Sequence, residues 1–238
     1  MKKTKKIFIL FTIITCISLT SYAVDEDDYE ELDYVWLEEE VNKAKNTDEL
    51  KINSRYAVVY DRTSKTVIWG KDETREVPMA STTKIMTAIV MLENVTNLNE
   101  EITVCKKAAN VGGSRLELKT GDKITYKDLL YGLLLRSGND AATQIAISVA
   151  GSVEGFAEMM NNKAEELGLE HSHFVTPHGL DNSNHYTTAY ELAIMADYAL
   201  NIEEFAKIVS TKNYTVTING YSKNITNTNE LLRIFRGR

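Results

Sequence analysis

Residues 78–88 read Pro78-Met79-Ala80-Ser81-Thr82-Thr83-Lys84-Ile85-Met86-Thr87-Ala88, and the apolar run continues through Ile89, Val90 and Leu92. Ile85, Met86, Ala88, Ile89, Val90 and Leu92 leave almost no polar face, so the stretch reads as a buried helix. Ser81 and Lys84 stand three residues apart near its start, on one face and one turn from each other. A serine hydroxyl is a weak nucleophile and needs a base beside it. A charged Lys within an apolar helix is costly, so burial lowers its pKa and can make it that base. On its own, the pattern is weak evidence and reads more simply as a helix start with an incidental Lys.

Outward from this helix the chain alternates clearly. Tyr56 to Tyr60 and Thr66 to Trp69 are β-rich runs separated by Asp61-Arg62-Thr63-Ser64-Lys65, a hairpin signature. Thr125-Tyr126-Lys127-Asp128 resembles a capping box and opens a helix through Leu129, Leu130, Leu133 and Leu134 that stops at Arg136-Ser137-Gly138. Asn139 starts another, with Ala142, Ile145, Ala146 and Val149, closed by Gly151. Further helices are expected from Val153 to Leu167, with Gly168 as the stop, and from Thr188-Ala189-Tyr190-Glu191 to Leu200. Tyr214 to Ile218 and Tyr221 to Thr226 flank Asn219-Gly220, a strong hairpin turn. A sheet element, many helices and a late hairpin make a mixed α/β chain.

Ser137-Gly138-Asn139 places short polar side chains on a corner between two apolar helices. Alone it reads as a helix C-cap followed by an N-cap. Together with Ser81-Thr82-Thr83-Lys84, in this order, it resembles the first two motifs of penicillin-binding proteins and serine β-lactamases. The flanking residues are more specific. Residues 78–88, Leu133-Leu134-Leu135-Arg136-Ser137-Gly138-Asn139-Asp140-Ala141-Ala142 and Phe174-Val175-Thr176-Pro177-His178-Gly179-Leu180 resemble the serine D-alanyl-D-alanine carboxypeptidases, peptidase family S11. The resemblance runs from about Arg55 to Leu232.

That resemblance implies a β-lactamase/transpeptidase-like α/β fold, an antiparallel sheet packed with a helical cluster, over residues 51–238. It also implies a reaction. Ser81 would attack the carbonyl between the last two D-alanines of a peptidoglycan stem peptide. An acyl-enzyme would form, D-alanine would leave, and water would release the shortened peptide. Lys84 would take the Ser81 proton, Ser137 would relay a proton toward the leaving amine, and Asn139 would hydrogen-bond the substrate backbone. β-Lactams would acylate Ser81, and no cofactor or metal is expected.

The family's third motif, Lys-Thr-Gly, belongs on a strand after the late hairpin. Its Lys meets the substrate carboxylate, and an adjacent backbone N–H completes the oxyanion hole. Lys119-Thr120-Gly121 falls between the first two motifs and reads as an unrelated turn, since a motif counts only in its structural context. After Leu232 the sequence reads Arg233-Ile234-Phe235-Arg236-Gly237-Arg238. The expectation is therefore a domain lacking its closing C-terminal strands, its last helix and the family's membrane-binding segment. It would be weakened as an enzyme, because losing one oxyanion donor elsewhere costs about 10²–10³ in rate.

Residues 1–23 read as a secretory signal. Lys2, Lys3, Lys5 and Lys6 precede an apolar run from Ile7 to Leu19, too short for a comfortable membrane span, and Ser21-Tyr22-Ala23 suits a cut after Ala23. Export to the cell-wall space follows, and cleavage would leave Cys105 without an intramolecular partner. Residues 24–50 form an acidic segment. Positions 25–49 carry 12 acids against Lys43 and Lys45, the pattern of a solvated tail or exposed helix, with Leu32, Val35 and Trp36 able to make a small apolar face. The formal charge of −7 for the 238 residues argues against a nucleic-acid partner.

Three other readings compete. A class A β-lactamase also needs a Glu in a Glu-x-x-Leu-Asn string after Ser137, and none occurs. His171, His173, His178 and His185 fall close enough together to suggest zinc, but read more simply as a surface loop. A non-catalytic module that holds peptidoglycan or a partner is the third, and labelled penicillin separates it from an enzyme.

Overall fold

A computed structural model of the chain describes residues 52–180 and 182–234. The expected signal and acidic segments, residues 1–50, lie outside the described residues.

The helix that follows Ser81, α1 (Lys84–Asn94), is buried from Met86 to Met91. The absence of a polar face in its sequence thus translates into burial on all sides. A pair of short strands precedes it. Here β1 (Ala57–Asp61) pairs antiparallel with β2 (Thr66–Lys71), with a register irregularity between Val59 and Tyr60.

Between α1 and the next long helix the chain makes a second antiparallel pair, β3 (Glu101–Thr103) with β4 (Lys123–Thr125), and a single helical turn, α2 (Lys106–Ala109). Neither is visible in the sequence pattern. Three-residue strands are too short to show alternation, and these two meet across some twenty intervening residues.

From β4 the chain passes directly into α3 (Tyr126–Arg136). The Thr125 hydroxyl accepts from the Asp128 N–H at 3.1 Å, so the N-cap half of the expected capping box forms, while the Asp128 carboxylate turns away from the Thr125 N–H. Asp128 then anchors the late hairpin: its carboxylate accepts from Tyr214 Oη at 3.0 Å and from the Thr217 N–H at 3.2 Å. That hairpin, β5 (Asn213–Ile218) and β6 (Tyr221–Thr226), turns at Asn219 and Gly220, whose φ values of 53° and 77° are those the tight turn requires.

α4 (Asn139–Ala150) and α5 (Val153–Glu166) follow α3, separated by Gly151, and Ser152 caps α5 by accepting from the Gly155 N–H at 2.9 Å. α6 (Ala189–Leu200) starts at Thr188, which accepts from the Glu191 N–H at 3.0 Å. Besides α2, two more described helices have no counterpart in the sequence reading, α7 (Glu203–Val209) and the short α8 (Leu231–Ile234). α7 has no side-chain cap hydrogen bond to announce it.

The core is one cluster centred on α1, α3 and α4, with Met86, Ile89, Leu129, Leu133, Ala142 and Ile145 fully excluded from solvent. The α/β expectation holds, with helices dominating. Among the described residues the strands form three separate antiparallel pairs. No described helix is long and apolar enough to cross a membrane.

Candidate active site

Ser81 sits in a 3₁₀ turn, Ala80–Thr83, that leads into α1. Its neighbour Ala80 has φ 46°, a left-handed conformation unusual for a residue with a Cβ and costing on the order of 1–3 kcal/mol. Contacts on both sides hold it there. The Thr83 hydroxyl donates to the Ala80 carbonyl at 2.7 Å, and the Thr82 hydroxyl donates to the Met79 carbonyl at 2.5 Å. Gly179 presses against the same Ala80 carbonyl so closely that a Cβ there would lie 1.8 Å from the oxygen.

Lys84 is 3% exposed, while Ser81 beside it is open to solvent. Lys84 Nζ donates to Ser81 Oγ at 3.1 Å and to the His178 carbonyl at 2.9 Å. Burial pushes this amine down to about 8, against the opposing pull of the Asp140 carboxylate. The lysine therefore holds a usable fraction of neutral amine near neutral pH, with its lone pair within reach of the serine proton. The two residues meet directly, as their spacing on one helix face requires.

The backbone that receives Lys84 comes from residues 177–180. The Pro177 carbonyl accepts from Thr87 Oγ1 at 2.6 Å, one turn further along α1. The same segment reaches the second motif. Leu180 approaches Gly113, and Gly113 packs on the Asn139 amide closely enough that a Cβ there would fall 2.5 Å from Nδ2.

Asn139 opens α4 and is 3% exposed. Its Nδ2 donates to the Gly112 carbonyl at 2.7 Å, and its N–H donates to the Ser114 carbonyl at 2.7 Å. A carbonyl can only accept, which fixes the orientation of the amide and leaves Oδ1 buried with no hydrogen-bond partner among the described residues. Ser137 ends α3 with φ 54°. It is half-buried and makes no hydrogen bond to Ser81 or Lys84 among the described residues. Of the four residues singled out from sequence, the structure joins Ser81 to Lys84 directly and links Asn139 to them through residues 177–180. Ser137 shares the Asn139 corner.

Asp140 carries no signal in the sequence pattern, yet it organises this corner. Fully buried, it accepts from the N–H groups of Leu116 at 2.8 Å, Leu118 at 3.0 Å and Ala141 at 2.9 Å. It thereby fastens residues 112–118, which carry the partners of Asn139, to the first turn of α4. Lys119-Thr120-Gly121 lies just beyond, in a turn closed by Asp122: Lys119 is exposed, its N–H donates to Asp122 Oδ2 at 2.8 Å, and Gly121 has φ 91°. A surface groove of about 850 Å³ runs beside that turn and the β5–β6 hairpin, bordered by Arg115, Glu117 and Lys223, and does not include Ser81.

The histidines depart from the surface-loop expectation. His171 is exposed and His173 half-buried, but His178 and His185 are 9% and 3% exposed. Burial holds both of the latter down to about 4, and the Lys84 charge adds to this at His178. The described residues hold no group of three or more His, Cys, Asp or Glu placed to share a metal ion.

An exposed serine at a helix start, a buried lysine one turn on, and a Ser-Gly-Asn corner between helices place the molecule among the penicillin-binding folds, and solved structures agree. A penicillin-binding protein homologue from Mycobacterium tuberculosis superimposes with a TM-score of 0.75 at 30% identity, over 79% of this chain and 71% of that one. A variant of the Streptomyces K15 DD-transpeptidase gives 0.74 at 32% identity, over 79% and 78%. The D-alanyl-D-alanine carboxypeptidase family, peptidase S11, matches residues 42–235, and the chain belongs to this family. The D-alanyl-D-alanine carboxypeptidase DacF of Bacillus subtilis is 35% identical over 198 residues, covering 81% of this chain and 51% of the relative. DacD of Escherichia coli is 34% identical over 66% and 44%. The chain thus spans about half the length of these curated relatives.

Proposed function

We propose that the protein is a serine D-alanyl-D-alanine carboxypeptidase that trims the terminal D-alanine from peptidoglycan stem peptides through a Ser81 acyl-enzyme. The observation that carries this reading is the 3.1 Å contact between Lys84 Nζ and Ser81 Oγ, with the amine buried and shifted toward neutrality. In its amine form Lys84 accepts the Ser81 proton as Oγ bonds to the carbonyl carbon of the penultimate D-alanine. The His178 carbonyl keeps Nζ in place as the proton arrives. Collapse of the tetrahedral adduct breaks the peptide C–N bond, and the departing amine takes up a proton by way of Ser137. Water then attacks the ester and restores Ser81. Asn139 Oδ1, which has no hydrogen-bond partner among the described residues, suits a backbone N–H of the bound peptide.

β-Lactams present a strained amide to the same hydroxyl and become stable esters of it. Residues 1–23 would carry the enzyme across the cytoplasmic membrane to the cell-wall space, where its substrate is found.

The test is intact mass spectrometry of the purified chain after incubation with benzylpenicillin. One covalent adduct is expected, mapping to Ser81 and absent from Ser81→Ala. An adduct that persists in Ser81→Ala removes the serine from this role. A folded wild-type chain that takes up no penicillin favours a peptidoglycan-holding module instead.

A further inference from the structure

A buried chain of hydrogen bonds ends on the residue before the proposed nucleophile. The Val175 N–H donates to His185 Nδ1 at 2.9 Å, so that nitrogen carries no proton and the ring hydrogen sits on Nε2. Nε2 lies 2.7 Å from Thr83 Oγ1 and donates to it. The Thr83 hydroxyl then has its own proton for the Ala80 carbonyl, 2.7 Å away. Each member has one direction open to it, and the directions agree. Burial keeps the ring neutral, since His185 is held down to about 4. The Phe174 ring meets it edge-on at 5.8 Å, and the neighbouring Tyr186 pairs through its N–H and carbonyl with His173 across a short bridge, so the imidazole is packed on one side and its backbone is tied on the other.

We infer that His185 is a positioning residue: through Thr83 it latches the Ala80 carbonyl and so maintains the left-handed turn that presents Ser81 to Lys84. This rests on the proposed acyl-enzyme role of Ser81. A left-handed Ala is intrinsically unfavourable and relaxes unless its surroundings hold it. Gly179 crowds the Ala80 carbonyl from one side, the Thr83 hydroxyl is the side-chain donor to that carbonyl, and His185 orients the hydroxyl. Without the latch Ala80 can relax toward ordinary backbone angles, turning the Ser81 hydroxyl away from Nζ. A displacement near 1 Å at a reacting group can cost about 10²-fold.

The experiment measures acylation of the full chain by a fluorescent penicillin, separating non-covalent affinity from the rate constant of ester formation. Thr83→Val keeps shape and removes the relay, Thr83→Ser keeps the hydroxyl, and His185→Leu removes the donor. Thr83→Val and His185→Leu are each expected to lower the rate constant by about tenfold or more, with affinity little changed, while Thr83→Ser stays within about threefold. The double variant should be no slower than the worse single one, because both changes break one chain. A Thr83→Val chain that acylates at the wild-type rate, or single losses that multiply in the double variant, overturns the inference. Nitrogen-15 chemical shifts of His185 in the folded wild-type chain give a check that needs no variant. The neutral Nε2–H tautomer is expected, and an Nδ1–H tautomer overturns the latch. Should wild type take up no penicillin, the proposed activity fails, and the tautomer still decides the latch.

Discussion

Lys84 Nζ is held between Ser81 Oγ at 3.1 Å and the His178 carbonyl oxygen at 2.9 Å, so the amine is fixed in direction before any substrate arrives. A flexible four-carbon stem would otherwise sample many positions, and burial along α1 removes that freedom. The same burial that fixes the amine also lowers its pKa, so geometry and basicity have one cause.

A pH dependence follows. Lys84 is an ammonium below about 8 and an amine above it, and only the amine can accept the Ser81 proton. The rate constant of acylation by a β-lactam should climb about tenfold per unit at acid pH and level off above about 9. Lys84→Arg, which stays charged, should lose the dependence together with about 10²–10⁴ of the rate. Stopped-flow acylation from pH 5 to pH 10 measures both. A wild-type profile that is flat across that range would take Lys84 out of the base role.

Stability responds to the same group in a definite window. The folded pKa of about 8 lies below the ordinary 10.5, so between these values the unfolded chain binds more protons than the folded one. The contribution of Lys84 to stability should therefore rise as pH increases from about 8 to 10.5 and stay constant below. Urea midpoints of wild type and Lys84→Met, compared at pH 7 and pH 10, isolate it. The gap between the two should shift in favour of wild type at the higher pH.

Gly179→Ala should be far more damaging than an ordinary loop substitution. Its φ is 79°, and the added Cβ would fall 1.8 Å from the Ala80 carbonyl oxygen, a backbone atom that cannot swing away. Strain and overpacking together should cost about 3 kcal/mol, and acylation should fall because the turn behind Ser81 is pushed. Gly168→Ala is the control: φ is 70°, but the Cβ meets nothing within 4 Å, so a cost of about 1 kcal/mol and unchanged acylation are expected. Thermal melts and acylation rates of the two variants give the comparison.

Much of the fold was legible because its signals are local. Ser81 and Lys84 are three residues apart, the caps at Thr125 and Thr188 act within one turn, and the Asn219-Gly220 turn depends only on its own φ values. What stayed hidden depends on meetings between distant residues. β3 and β4 stabilise each other but have no period of their own. Thr83 and His185 are 102 positions apart, so nothing local marks the histidine as buried or as a donor. Asp140 looks like an ordinary first-turn acid, and only the fold shows that its acceptors serve Leu116 and Leu118, 24 and 22 residues away.

Asp140 itself makes a sharp target. Asp140→Ala strands two buried N–H groups of the 112–118 segment and should destabilise the protein by about 3 kcal/mol. Because that segment holds Asn139 through the Gly112 and Ser114 carbonyls, acylation by a β-lactam should weaken even in the fraction that stays folded. Urea denaturation with acylation measured well below the midpoint separates the two effects. Wild-type stability in this variant would show that the segment is held by other contacts.

Lys119→Ala tests whether a sequence match can be dismissed on structural context. The string Lys119-Thr120-Gly121 has the composition of the family's third motif, but it occupies a turn between α2 and β4. The turn is stabilised by Asp122, whose carboxylate accepts from the Lys119 backbone N–H, so the Lys119 side chain is not needed for it. That side chain is exposed, and among the described residues it neither hydrogen-bonds nor pairs with an acid. In the family the substrate-carboxylate clamp is expected on a strand facing the nucleophile, and among the described residues no hydrogen bond or ion pair joins this turn to Ser81. Lys119→Ala should therefore leave the penicillin acylation rate within about twofold of wild type and stability within about 0.5 kcal/mol, as for other exposed side chains. A loss of acylation above tenfold with stability unchanged would place Lys119 at the site after all.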